Sequence, residues 1–133
     1  MPEPDSVETS LSSKRFEFEV EITDPQTGFS FLFTMEVDTG NPIALALPRS
    51  CEHFLTNQLS TIDLRGAGTS NSPAYEANIT AIEGMEISYE TMAVMTLSHD
   101  EYGLIGVELL KYLETKIHGE PDSKKLRLTN THL

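Results

Sequence analysis

The feature that most constrains the fold is an alternation of apolar and charged residues along residues 16–22. Apolar side chains occupy every second position, and glutamates fill the positions between them: Phe16, Phe18, Val20 and Ile22 against Glu17, Glu19 and Glu21. Successive side chains of a strand point to opposite faces, so the pattern predicts a strand with one buried and one solvated face. The next segment, DPQTG at 24–28, predicts a turn, because proline presets φ and glycine accepts positive φ.

Further short strands follow at close intervals. The run FSFLFTMEV at 29–37 is more apolar and predicts the returning, more buried strand. The remaining predicted strands lie at 43–47, 62–64, 75–82 and, as one or two strands, 85–97, with one or two helical turns within 49–59.

The last third of the chain predicts one helix and one hairpin. Residues 107–113 contain good helix formers, and Leu109, Leu110 and Leu113 share one helical face. Segments 116–118 and 125–128 flank a turn and predict a closing hairpin. Short strands with frequent turns and one late helix indicate a mostly-β barrel or sandwich.

The length predicts one domain, preceded by an arm. A compact domain typically takes about 100–200 residues, and this chain has 133. Residues 1–14 are polar and offer almost nothing to bury, so we expect a flexible N-terminal arm at 1–14 and one domain at 15–133. The arm has no apolar core of the kind a secretory signal needs, and no run approaches the about 20 residues of a transmembrane helix.

The charge excludes two classes of partner. Nine basic residues against 21 acidic ones give a net charge of −12, which repels nucleic acid and anionic membrane surfaces. The single cysteine, Cys51, has no partner for an internal disulfide, which indicates a reducing compartment, and we expect a cytoplasmic protein.

The motif that carries chemistry is Asp38-Thr39-Gly40, placed between two apolar strands. A carboxylate at the end of an apolar strand needs hydrogen-bond donors, because burying its charge is otherwise costly. The motif alone arises by chance in roughly 2–4 chains in a hundred of this length, and taken alone it is better explained by an Asp that opens a tight turn through an Asx hydrogen bond. Its context is more specific, because Leu104-Ile105-Gly106 later leads directly into the predicted helix.

Together these segments resemble the retropepsin-like aspartic proteases, which include the retroviral proteases and single-domain cellular relatives. The likeness covers about residues 16–128. It rests on VDTG at 37–40, IALALP at 43–48, the glycine-bearing hairpin at 66–73 with YEA at 75–77, and GLIGVELL at 103–110. The resemblance implies a mostly-β, closed retropepsin-like barrel with one short C-terminal helix.

The resemblance also implies roles for individual residues. Asp38 would be the catalytic carboxylate, in an active-site loop completed by Thr39, Gly40 and Asn41. Thr39 would link the loops of two subunits by hydrogen bonds, and Gly40 would let the backbone approach substrate. The residues that would form a flap over the cleft and bind substrate are Gly66, Ala67, Gly68 and Thr69. The residues that would brace the active-site loop are Leu104, Ile105 and Gly106.

Two positions depart from the family pattern. Family members usually carry Ala or Ser after the Asp-Thr-Gly, whereas this chain has Asn41 followed by Pro42. Retroviral members often carry Arg after the late glycine, whereas this chain has Val107. The first difference bears on how the floor of the cleft binds substrate, and the second removes a supporting ion pair.

Metal-free hydrolysis of a peptide bond needs one group that activates water and another that protonates the product. Two neighbouring carboxylates do both, because they cannot both ionise cheaply and therefore share a proton. Asp38 is the only one of six aspartates followed by Thr-Gly, so the second carboxylate must come from another chain. We therefore expect an aspartic endopeptidase, a homodimer with a two-fold axis between its Asp38 side chains and a peptide or protein substrate. The alternative is a non-catalytic barrel that uses its cleft or dimer surface for binding.

Other chemistries have weaker support in the sequence. The four histidines and Cys51 show no metal-ligand spacing, so we expect no metal and no cofactor. Cys51 is more simply a buried, inert side chain than a nucleophile. The glycines at 66–68 lack the lysine of a phosphate-binding loop, and a mobile surface loop remains an alternative to a flap.

Overall fold

A computed structural model of the chain describes residues 5–11, 15–62, 72–96 and 103–132. Within these ranges the chain forms ten strands, a 3₁₀ helix at Arg49–Phe54 and one α-helix, α1, at Val107–Tyr112. The strands are β1 (Asp5–Ser10), β2 (Glu17–Thr23), β3 (Ser30–Val37), β4 (Leu45–Pro48), β5 (Gln58–Ile62), β6 (Ser72–Ile82), β7 (Met85–Thr96), β8 (Gly103–Ile105), β9 (Glu114–His118) and β10 (Lys125–Asn130).

Six of these strands close into a barrel. They follow the order β2-β3-β8-β4-β7-β6, and β6 pairs back onto β2, while β5 extends the sheet beyond β6. Most neighbours are antiparallel, but β3 pairs in parallel with β8 and β4 in parallel with β7. The predicted mostly-β, closed architecture with one short helix late in the chain is confirmed.

Strand β2 follows the alternation that predicted it. Phe18, Val20 and Ile22 are buried in the core, whereas Glu19 is exposed. The strand pairs with β3 along one edge and with β6 along the other, so its apolar face is covered by the barrel interior. The turn after it forms as predicted, with Gly28 at a φ of 77°.

The prediction that β3 is the more buried strand is wrong. Of its eight residues only Met35 is fully buried, and Leu32 remains 60% exposed. One face of β3 lies on the outside of the barrel, where Leu32 stands opposite Glu21 of β2. The exposed end of the strand is partly covered by aromatic contacts, since the Phe31 and Phe54 rings lie 4.6 Å apart. Apolar content therefore overstated burial here.

The prediction of a flexible arm over residues 1–14 is wrong for residues 5–10. This segment forms β1, which pairs antiparallel with β10, and β10 pairs with β9 in a three-stranded sheet. We call it the terminal sheet. The composition of β1 is polar, but its backbone hydrogen bonds to β10 do not depend on composition. That partner lies more than 110 residues away, so no local pattern predicts it.

The other predictions for the second half hold with shifted bounds. Residues 85–96 form one strand rather than two, and β5 begins at Gln58, four residues before the predicted strand at 62–64. The closing hairpin is present as β9 and β10. Leu109 and Leu113 of the predicted helical face are buried with Leu126 and Leu128 of β10. None of the helices within the described ranges is long and apolar enough to span a membrane.

Candidate active site

Asp38 lies where β3 leaves the barrel, beside the end of β8. The parallel pairing aligns Val37 with Ile105, and the Asp38 backbone N–H donates to the Ile105 carbonyl oxygen at 2.9 Å. The chain reaches this point from an apolar strand and turns immediately, because Thr39 and Gly40 form a tight turn. The register of β3 on β8 therefore sets the position of the Asp38 side chain.

The turn is closed by Asp38 itself. Its carboxylate Oδ1 accepts the Gly40 N–H at 2.9 Å, and its carbonyl oxygen accepts the Asn41 N–H at 3.1 Å. A Cβ at Gly40 would come to 3.2 Å from that Oδ1, so glycine suits this close approach. The Asp38 side chain is half-buried. Its second oxygen, Oδ2, accepts no hydrogen bond from the described residues.

The segment Leu104-Ile105-Gly106 lies directly against this turn. Gly106 donates its N–H to the Ala44 carbonyl at 3.0 Å, and Val107 donates to the Asn41 carbonyl at 2.8 Å. A Cβ at Gly106 would overlap the Ile43 carbonyl oxygen, so the contact requires glycine. Ile105 is buried and Leu104 half-buried, which anchors the segment in the barrel.

The two remaining loop residues differ in how they are held. The Asn41 side-chain Oδ1 accepts the Ile43 N–H at 3.3 Å, so its amide is fixed within the loop. The Thr39 side chain is exposed and has no hydrogen-bond partner in the part of the chain that the structure describes. The structure thus brings residues 38–41 and 104–106 together, whereas the predicted flap, Gly66, Ala67, Gly68 and Thr69, lies outside the described residues.

A second aspartate, Asp24, has the opposite environment. Its side chain is fully buried, and its Oδ2 accepts hydrogen bonds from the Thr27 hydroxyl at 2.9 Å and the Thr56 hydroxyl at 2.8 Å. Burial raises the pKa of Asp24, but these hydroxyls and the Gln26 and Thr27 N–H groups outweigh it and hold the pKa below its ordinary value. Sequence reasoning took the segment 24–28 as a simple turn and missed this buried charge.

A cluster of charges on the terminal sheet was also missed. Glu8 of β1 lies 2.6 Å from His118 Nε2 and 3.2 Å from Arg127 Nε, and Lys125 Nζ is 3.8 Å away. The hydrogen bond from His118 is the main reason that the pKa of Glu8 lies below its usual value. The partners are more than 100 residues apart in the chain, so no spacing pattern could have revealed them.

Neither Cys51 nor any histidine of the described residues takes part in the Asp38 loop. Cys51 is buried, and burial raises the pKa of its thiol, which disfavours the thiolate that a nucleophile needs. Within the described ranges, no three His, Cys, Asp or Glu side chains come together in an arrangement that could hold a metal ion.

Comparison with solved structures finds proteins of similar fold. A retropepsin-like aspartic protease from Rickettsia conorii superposes with a TM-score of 0.60 at 14% sequence identity, over 98% of each chain. The chain has a retropepsin-like fold. A second match is EIAV protease complexed with the inhibitor HBY-793, with a TM-score of 0.46 and 17% identity over 74% of this chain and 88% of that one. No protein-family model and no curated protein sequence matches the chain.

In this retropepsin-like barrel the Asp38 turn lies beside the ends of β3, β8 and β4. Its backbone bonds reach β8 through Ile105 and α1 through Val107, while Ala44 leads into β4. Bonds from β8 and α1 thus fix the loop without using the second carboxylate oxygen of Asp38. The arrangement presents one half-exposed carboxylate on a rigid support, which is the geometry that general acid–base chemistry requires.

Proposed function

We propose that the chain is an aspartic endopeptidase that acts as a homodimer and cleaves peptide or protein substrates. The observation that carries this proposal is the Asp38 carboxylate, which is half-exposed on a turn fixed by backbone bonds from Ile105 and Val107. A catalytic carboxylate needs a fixed position and a free oxygen, and Asp38 has both. The retropepsin-like fold supports the same reaction class.

The proposed reaction uses one Asp38 from each subunit. Two carboxyl groups a few ångströms apart do not both ionise, because their negative charges would repel each other. The pair therefore holds one proton between them. The ionised Asp38 takes a proton from a water molecule, which attacks the peptide carbonyl carbon. The protonated Asp38 supplies the proton that the departing amine needs. The C–N bond breaks, and the pair ends with one proton, as it began.

The other predicted residues take supporting roles in this proposal. Thr39, whose side chain is exposed, would reach the partner subunit's loop, and Leu104, Ile105 and Gly106 would brace Asp38. Residues 66–69 would cover the cleft. Each subunit carries a net charge of −12, so we expect dimer formation and activity to increase with salt, which screens the repulsion. The single, buried Cys51 is compatible with the cytoplasmic location that we propose.

Cleavage of a peptide library by the wild type and Asp38→Asn tests the proposal. The assay covers mildly acidic to neutral pH at low and high salt, with the oligomeric state measured in the same buffers. Asp122→Asn is the matched control, because Asp122 lies exposed in the β9–β10 turn. We expect the wild type and the control to cleave and Asp38→Asn to be inactive. Equal activity of all three proteins would exclude the aspartic mechanism, and a folded dimer without activity would favour a binding module.

A further inference from the structure

The outer wall of the barrel has a concave surface over β6 and β7. A cavity of about 440 Å³ opens there, and we call it the β6–β7 pocket. The opposite face of β6 lies in the core, where Ala77 and Ile79 are fully buried, so the pocket faces away from the barrel interior. The turn after β2, strand β5 and the two long strands supply its lining: Pro25, Leu59, Glu76, Asn78, Glu90 and Thr91.

The pocket is separate from the Asp38 turn. Asn78 pairs with Thr23 at the end of β2, and Thr23 pairs with Ser30 at the start of β3. Asp38 follows the other end of β3, eight residues further along the strand. At the rise of an extended chain this separation is about 27 Å. A ligand in the pocket therefore does not touch the candidate active site.

The strand register places the two glutamates of the pocket together. Glu76 stands opposite Met92, and Asn78 stands opposite Glu90. Directly opposed residues share a face of the sheet, and so do residues two apart in one strand. Glu76 and Glu90 are thus diagonal neighbours on the outer face, about 7–8 Å apart.

These two carboxylates carry charge that the described part of the chain does not neutralise. Glu76 is half-buried, and its two oxygens accept hydrogen bonds from the Gln26 amide at 3.2 Å and the Asn57 amide at 3.4 Å. The amides hold the carboxylate in place but bring no positive charge. Among the described residues no basic side chain forms an ion pair with Glu76 or Glu90. The pocket is therefore complementary to a cation.

Apolar side chains lie beside the charges. Leu59, which lines the pocket, is 47% exposed, and Met92, opposite Glu76, is 38% exposed. A small inorganic cation would leave this apolar surface in water. A side chain with an apolar stem and a cationic head covers the apolar surface and reaches the carboxylates at the same time. The lining thus favours arginine or lysine over a metal ion.

The spacing of the carboxylates favours arginine. A guanidinium is planar and has five N–H donors, so it donates to two carboxylates at once. A lysine ammonium is a compact, strongly hydrated charge that contacts one of them closely and leaves the other. Glu76, which is already fixed by two amides, presents a preorganised acceptor to such a fork.

The net charge of the chain indicates where the arginine comes from. At −12 the protein attracts a basic segment of another protein and repels a second copy of itself. The occupant that fits both the pocket and the whole molecule is an arginine of a basic partner, presented next to apolar residues.

We propose that the β6–β7 pocket binds an arginine side chain of a partner protein. The guanidinium lies between Glu76 and Glu90, and the stem packs on Leu59. This proposal does not depend on peptide cleavage, because the pocket is remote from Asp38.

Three labelled nine-residue peptides test the chemistry of the pocket. They have the same leucine-flanked sequence and differ in one central residue, which is arginine, lysine or citrulline, the neutral isostere of arginine. Every protein carries Asp38→Asn, so that no peptide is cleaved, and fluorescence anisotropy gives the Kd. We expect the arginine peptide to bind about fivefold or more tightly than the lysine peptide. Citrulline should abolish measurable binding, and added salt should weaken binding of the arginine peptide.

Matched double variants test the position of the pocket. Glu76→Gln with Glu90→Gln removes both charges and keeps the side-chain shapes, whereas Glu120→Gln with Asp122→Asn removes two charges from the exposed β9–β10 turn. We expect the first pair to raise the Kd of the arginine peptide about tenfold and the second to change it less than about twofold. Amide chemical shifts of ¹⁵N-labelled protein should change on β6 and β7 around Asn78. Thermal unfolding checks that both variants fold.

Several results would overturn the proposal. Equal losses in the two double variants, or equal binding of the arginine and lysine peptides, would show only a general attraction to an acidic protein. Absence of binding, or shift changes confined to other strands, would exclude the pocket. A change of oligomeric state in Glu76→Gln with Glu90→Gln would show that a second copy is the occupant. None of these results bears on the proposed function, which is tested separately by cleavage with the wild type.

Discussion

Within the described residues, two turns begin with an aspartate and include a threonine and a glycine, and their carboxylates differ in burial and in hydrogen bonding. The turn at Asp24 has two backbone bonds, from the Asp24 N–H to Phe29 and from the Gly28 N–H to Asp24, and its buried carboxylate also accepts hydrogen bonds from Thr27 and Thr56. The turn at Asp38 is held mainly by backbone bonds from neighbouring strands, at Ile105 and Val107. Its carboxylate is half-exposed and binds only the Gly40 N–H among the described residues.

This difference shows what separates a structural aspartate from one that is free to react. A buried carboxylate whose two oxygens both accept hydrogen bonds, as in Asp24, cannot bind water without breaking one of them. A carboxylate on a loop held by the backbone can exchange its proton while the loop stays in place. We therefore expect changes at Asp24 to lower stability and changes at Asp38 to lower activity.

The largest expected effect is on activity, at Asp38. Asp38→Asn keeps the shape of the side chain and an oxygen for the Gly40 N–H, so we expect the midpoint of urea unfolding to be unchanged. Loss of the acid–base group should lower peptide cleavage about a thousandfold. Activity above a tenth of the wild-type rate would show that the free oxygen of Asp38 does not mark the catalytic group.

The second effect concerns the backbone support of the Asp38 turn. In Gly106→Ala the new Cβ would overlap the Ile43 carbonyl oxygen, so the Asn41–Ile43 segment must move. We expect the free energy of unfolding to fall by about 3 kcal/mol, with loss of activity as well. Gly84→Ala is the control. Gly84 lies at an exposed turn with open space around it and has a φ of 80°, so its substitution strains the backbone without causing overlap. A Gly106→Ala protein as stable and active as the wild type would show that the loop is not held in this way.

The third effect is on stability alone, at Asp24. Asp24→Asn removes the buried charge that accepts hydrogen bonds from the Thr27 and Thr56 hydroxyls, which should lower the free energy of unfolding by about 2 kcal/mol. Activity of the folded protein should remain, because Asp24 does not touch the Asp38 loop in any described hydrogen bond. Urea unfolding and peptide cleavage at a temperature well below the melting point measure the two effects separately.

The same carboxylate predicts a pH dependence. The pKa of Asp24 is lowered in the folded protein, so its contribution to stability is fully present above its ordinary pKa of about 4 and is lost as the pH falls through the lowered value. We expect the stability difference between the wild type and Asp24→Asn to be constant near neutrality and to shrink in acid. A difference that grows in acid would contradict the sign of this pKa shift.

The smallest effect is at the partner of Asp24. Thr56→Val removes one hydroxyl donor but leaves Thr27 and the Gln26 N–H on the carboxylate. We expect a loss of about 1 kcal/mol, and a smaller one for Thr56→Ser, which keeps the hydroxyl. If Thr56→Val proved as damaging as Asp24→Asn, the Asp24 turn would depend on a single bond rather than on several.

The sequence predicted the elements whose buried face follows from a short repeating pattern of apolar residues. The alternation at 16–22 predicted β2 and its buried face, and the leucines at 109 and 113 predicted the buried face of α1. The pattern failed where burial depends on distant neighbours. Leu32 is apolar but stays exposed, because the outside of the barrel leaves its face of β3 uncovered.

The sequence offered the residues of the candidate site as a hypothesis, but it did not predict the hydrogen bonds that join residues 38–41 to residues 104–107. Asp38-Thr39-Gly40 is visible in the sequence, and so is the late Leu104-Ile105-Gly106. Their hydrogen bonds depend on the parallel pairing of β3 with β8, whose partners lie nearly 70 residues apart. The burial of Asp24 was not predictable, because Thr56, which helps to hold its charge, lies 32 residues away.

By itself the sequence determined the short-range features of this protein: the strand faces set by a period of two, the turns set by proline and glycine, and the aspartate that follows an apolar strand. The tertiary structure decided which aspartate is buried, that β1 joins β10, and that Gly106 closes on the Asp38 turn. The physical reason is that these contacts join groups far apart in the chain, whose burial and hydrogen bonds exist only once the barrel has closed.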